Sequence, residues 1–228
     1  MTDTQVTAIE QLARTFDFGH GVRHSRKVAT LAASLFDQFS FRGLIPALMT
    51  EDRRLLVAAA LAHDLGASPR ALASMTDSLQ RQSVTDGSNH ALLSCHVLHR
   101  ALDDDYLPRL REITSSDLSA LLYCILWHEG DPDACLHGIE LDEPWRVRPL
   151  AGILRIAEGL DFAQRCIVTD IRVIVAPSRV RLIVKSVGPC NEEIARAQEK
   201  SDILSETLGL AVSVQQVIEE DARSQNAR

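Results

Sequence analysis

The chain has 228 residues, 46% of them apolar, and a formal net charge of −7. That length suits one good core with a small appendage, and the apolar content excludes a disordered chain. An acidic balance, 4% aromatic residues and no basic stripe disfavour nucleic-acid binding through phosphate contacts. A local basic pocket for a small phosphate ester remains compatible with it. The five cysteines, at 95, 124, 135, 166 and 190, are odd in number and form no Cys-x-x-Cys pair. They read as reduced thiols of a cytoplasmic protein, each a small core residue rather than part of a disulfide framework or zinc knuckle. No signal peptide is visible, and the longest apolar run is too short to span a bilayer.

Helices are expected over 5–16, 20–39, 51–65, 88–103, 115–129 and 145–164. In the second, His24 leads the stripe Val28, Leu31, Ala32, Leu35, Phe36 and Phe39, spaced by threes and fours. The third is an unbroken apolar run from Leu55 to Ala62, followed by His63-Asp64 and then Gly66, which reads as a C-cap glycine. A charge at the end of so apolar a helix is costly unless it is paired or bound to a metal. An imidazole beside a carboxylate suits a borderline divalent cation.

Later helices repeat the pattern. His90 aligns with Leu93 and Val97, and His128 follows Leu118, Leu121, Leu122 and Ile125. Glu158 and Asp161, three apart and expected on one helix face, extend the stripe Leu150, Ile153, Leu154 and Ala157. Each polar residue sits where its helix should be apolar, so the set points to one shared site rather than to several satisfied core histidines. His20, His96, His99 and His137 lack such a placement and read as exposed or structural. Segments 66–87 and 130–144, rich in Ser, Asp, Gly and Pro, read as loops bordering a pocket, with a short helix starting at Pro69.

After residue 166 the apolar period changes to two. Residues 171–175 and 180–185 read as strands joined at Pro177-Ser178. A helix over 191–208 ends at Gly209, and 210–214 forms a third strand. The expected fold is therefore mainly α, a helical domain over 1–166 followed by a small β-β-α-β unit over 167–218 and a polar tail over 219–228.

The order His24, His63-Asp64 and then a late acid resembles the HD phosphohydrolase superfamily, whose core is a helical bundle. The likeness is greatest to the C-terminal HD domain of the exopolyphosphatase/guanosine pentaphosphatase family. It rests on His24–Asp37, Ala58–Gly66, Trp127-His128 and Ile153–Asp161, and runs from about 15 to about 217. The last stretch, Ile-Leu-Arg-Ile-Ala-Glu-Gly-Leu-Asp, is the most specific; that family commonly has Asp where Glu158 stands. The actin-like domains of the long members are missing. Of the histidine cluster that those members carry near position 90, His90 alone is present. His128-Glu129 resembles the His-His-Glu stretch of cyclic-dinucleotide HD phosphodiesterases, with Trp127 in place of one histidine.

The resemblance implies a divalent ion (Mn, Fe, Ni, Co, Zn or Mg) held by His24, His63, Asp64 and an acid, Glu158 or Asp161. His90 and His128 would hold a second ion or donate to phosphate, and Asp64 would also accept a proton from water. Asp64, His90 and His128 are thus the candidate catalytic residues, and Lys27, Arg148 and Arg155 the candidate phosphate clamps, with structural salt bridges as their plainer reading. The implied activity is metal-dependent hydrolysis of a nucleotide or other phosphate ester, with no membrane or nucleic-acid duplex as partner. The alternative is a non-catalytic module that keeps the fold to bind nucleotide or polyphosphate, or to form a homodimer.

Overall fold

The computed structural model describes residues 1–16, 21–74, 90–103, 110 and 112–217. His20, the start of the helix expected from 88 and the tail over 219–228 lie outside them. Helix α1 spans Asp3–Thr15 and is opened by a Thr2/Gln5 capping box. Helix α2 spans Gly21–Phe41 and α3 spans Thr50–Ala62. A 3₁₀ turn over Leu65–Ala67 and the short helix α4 over Pro69–Ser74 follow. Helix α5 covers His90–Asp103, α6 Ser115–Trp127 and α7 Pro144–Gly159.

The apolar stripe of α2 is buried throughout, from Val28 to Phe39. Helix α3 buries Leu55, Leu56 and the run Ala58–Ala62, which places it inside the bundle with neighbours on most sides. A buried polar hub ties these helices to α7. Arg146 donates to Asp52 at 2.5 Å and to Asp117 at 2.6 Å, so the charge buried at the start of α7 is matched from α3 and α6.

The C-terminal unit consists of strand β1 (Val168–Ala176), strand β2 (Arg179–Ser186), helix α8 (Asn191–Glu199), helix α9 (Asp202–Leu208) and strand β3 (Ala211–Val217). Strands β1 and β2 form an antiparallel hairpin, and β3 returns parallel to β2, the crossover being α8 and α9. The single helix expected over 191–208 is in fact two, interrupted at Lys200 and Ser201. Ser201 turns its hydroxyl back onto the Gln198 carbonyl at 2.7 Å, a local bond that competes with helix propagation. Gly209 ends α9 in the left-handed conformation at φ 61, as the sequence suggests.

Both outer strands of the sheet are capped by a glutamine amide. Gln38 of α2 donates to Ile171 O at 2.6 Å and accepts from Val173 N at 2.9 Å. Gln198 of α8 does the same to β3, through Val212 O at 3.1 Å and Val214 N at 2.9 Å. Each amide imitates one rung of a neighbouring strand, so edge groups that would otherwise be open to pairing are satisfied internally. Two close approaches hold the unit against α7. A Cβ at Gly152 would stand 2.9 Å from Leu204 N, and one at Gly159 would stand 2.7 Å from the Ala197 backbone.

Candidate metal centre

His63 and His128 occupy equivalent positions, the C-caps of α3 and α6. Each donates its Nδ1–H to the carbonyl three residues back, Ala60 at 2.7 Å and Ile125 at 2.6 Å. Those bonds satisfy carbonyls that a helix end leaves open, and they leave the Nε2 lone pair of each ring facing inward. His24 on α2 is oriented the same way by a carboxylate, its Nδ1 lying 2.9 Å from Asp161 Oδ2. His90, at the start of α5, is brought in by Ser94. The Ser94 hydroxyl donates toward His63 O and His90 O and accepts from Gly66 N at 2.8 Å.

Asp64 lies between these rings. Its Oδ2 is 3.6 Å from His24 Nε2 and 3.5 Å from His63 Nε2, and its Oδ1 is 3.5 Å from His90 Nε2. The Nε2 atoms of His90 and His128 are 3.1 Å apart. Two groups of potential ligand atoms result, His24/His63/Asp64 and Asp64/His90/His128, each with its atoms within 4.8 Å of one another. One carboxylate therefore faces two pairs of imidazoles.

Burial removes these groups from water unequally. His63 and His128 are fully buried and His24 is 2% exposed, whereas the His90 side chain is 28% exposed and marks the open side. Burial holds the pKa of His63 below its ordinary value and that of His128 well below it. Burial acts the same way on His24, but the hydrogen bond that it donates to Asp161 and the charge of Asp64 outweigh it, so His24 is raised. Burial alone would raise Asp64; the four surrounding histidines bring it down instead, to about 2. The centre thus presents an ionised Asp64 carboxylate, and burial makes the His63 and His128 rings resist protonation, the state that metal ligands require. His63 Nε2 is buried and has no hydrogen-bond partner among the described residues. A buried orphan of this kind calls for a partner, and a divalent cation fits both the nitrogen and the donor set around it.

A family model for the HD domain matches residues 21–161. The chain belongs to the HD domain family. HD domains are typically metal-dependent hydrolases, and the two convergent groups are compatible with a divalent ion. No curated protein matches the chain in a sequence comparison. Among the described residues no helix is long and apolar enough to cross a membrane.

The HD domain's two late acids part company. Helix α7 ends at Gly159, so Glu158 and Asp161 do not share a helix face as their spacing suggested. Asp161 is 1% exposed and accepts from His24 Nδ1 and, at 2.7 Å, from Cys166 N. Glu158 is bound instead by Lys200. Neither acid belongs to the convergent ligand groups found among the described residues. Gly66 is not a left-handed cap either, being absent from the glycines with positive φ. It is needed because a Cβ there would stand 2.2 Å from His90 O and 2.7 Å from Ser94 N.

Of the expected clamps, Arg155 of the HD domain is bound by Asp202 at 3.0 Å and by the carbonyls of Trp127 and Gly130. Arg148 pairs with Glu206 at 3.0 Å and Asp133 at 3.6 Å. Those contacts are the structural salt bridges of the plainer reading. Lys27, with Arg23, lies close enough to Cys166 for its charge to act on that thiol. Cys95, Cys124 and Cys190 are buried as expected, but Cys135 is exposed and Cys166 half-buried. Sequence reasoning missed Lys200 and Ser94; nothing in their local patterns separates them from ordinary helix residues.

Proposed function

We propose that this HD domain is a metal-dependent phosphohydrolase acting on a nucleotide or other phosphate ester. The observation that supports this most is Asp64, held ionised with one oxygen toward His24 and His63 and the other toward His90. His24, His63 and Asp64 would hold one ion, and Asp64, His90 and His128 would hold a second where two are bound. A divalent ion bound there supplies Lewis acidity toward a phosphoryl oxygen and makes water more acidic. Asp64 would also take a proton from an attacking water. His90, the most exposed of the four rings at the centre, can donate to a phosphate oxygen. Lys27 is the candidate counter-charge for the phosphate. The resemblance to the exopolyphosphatase/guanosine pentaphosphatase family favours nucleotides and polyphosphates among phosphate esters.

A second reading has its own support. Glu158, where the family commonly carries its late Asp, is occupied by Lys200, which favours a domain that binds such ligands without hydrolysing them. Turnover separates the two. Metal-loaded protein should hydrolyse at least one compound in a panel of nucleoside mono- to tetraphosphates, guanosine tetra- and pentaphosphate, cyclic nucleotides and polyphosphate. The activity should vanish in EDTA and in Asp64→Ala. Metal-loaded protein silent across the panel would favour the binding module.

A further inference from the structure

We infer that Lys200 is a positioning residue that withholds Glu158 from the metal centre, leaving Asp64 as its one carboxylate and making the donor set rich in imidazole. The inference rests on the metal-centre reading given above. Lys200 is 2% exposed, although it belongs to the C-terminal unit and lies outside the matched HD span. Its ammonium group binds Glu158 and Glu129 and lies 3.3 Å from His128 O. Those three partners use all three of its N–H donors.

A buried ammonium is tolerated only when it is paired in this way. The break between α8 and α9 falls at Lys200 and Ser201, and the interrupted backbone there carries the side chain inward. Glu129 is held a second time by Arg196 at 2.8 Å, whereas among the described residues Glu158 is ion-paired with Lys200. With Glu158 held, each of the two convergent groups offers two imidazoles and the one shared carboxylate. Such a set favours zinc and its transition-metal neighbours over hard cations, which prefer oxygen ligands.

The test is a competition titration of the metal-free protein against a chromophoric chelator, with Zn²⁺ and Mn²⁺ as probes. Glu158→Gln should leave Zn²⁺ affinity within about threefold of wild type, since a withheld carboxylate is no ligand; a loss of about tenfold or more, the penalty for a lost ligand or its direct support, would overturn the inference. Lys200→Met should tighten Mn²⁺ by about tenfold or more, and by more than Zn²⁺, because a hard oxygen ligand is released. The Lys200→Met/Glu158→Gln double variant should remove most of that gain. Should Lys200→Met fail to fold, the Glu158→Gln result still decides. Unchanged Mn²⁺ affinity in folded Lys200→Met would also overturn the inference. Wild-type protein that takes up neither ion would overturn the metal centre itself, an outcome distinct from tight binding that Glu158→Gln destroys.

Discussion

Asp161 supports the candidate centre from behind rather than facing it. Its carboxylate fixes the His24 tautomer from behind, and it also holds the turn at Cys166, whose φ of 54 is left-handed without glycine's freedom. Supports of this kind typically account for about 10- to 100-fold in metal affinity. Asp161→Asn should therefore weaken Zn²⁺ binding by at least about tenfold, because the amide carries no charge to polarise the ring. Wild-type affinity in that variant would mean that His24 needs no anionic partner. The contrast with Glu158→Gln is one that spacing alone does not decide. Two acids three residues apart look equivalent until the helix is seen to end between them.

At the scale of elements, the centre depends on how closely α5 approaches the turn after α3. Gly66 makes that approach possible, and Ser94 bonds across it. Gly66→Ala would force backbone apart at the point where His90 joins Asp64. Overpacking of this kind costs about 1–3 kcal/mol, which thermal unfolding of the metal-free protein would register. The same variant should lose metal affinity, since His90 moves with its helix. An unchanged melting temperature would show that the contact is slack. The helices themselves are legible in the sequence, because each carries a continuous apolar stripe with one polar interruption. His24, His63, His90 and His128 are those interruptions, and their recurrence on four helices is what makes a shared site readable from sequence alone. The role of Gly66 is not readable in that way, because a helix end and a tight crossing both call for glycine.

Across the whole molecule, the C-terminal unit does more than extend the bundle. Its helices pack on α7 through Gly152 and Gly159, and its sheet is closed at both edges by Gln38 and Gln198. Two strands and their turn are visible from period-two alternation in the sequence, and the third strand from its place after Gly209. The partnership of this unit with the metal centre is not. Lys200 is separated from Glu158 by 42 positions in sequence and meets it from the break between α8 and α9. Long-range pairing of charges leaves no periodic trace in a chain, so the outer support of the centre shows only once the helices are folded together.

The central claim is that His24, His63 and Asp64 hold a divalent ion, with His90 and His128 on the other oxygen of the same carboxylate. The most direct measurement is an anomalous-difference map from crystals grown with Zn²⁺, recorded on both sides of the absorption edge. The account predicts a peak at bonding distance, about 2.0–2.2 Å, from the Nε2 atoms of His24 and His63 and from Asp64 Oδ2. A fully occupied crystal showing zinc elsewhere and no peak among these rings would contradict it.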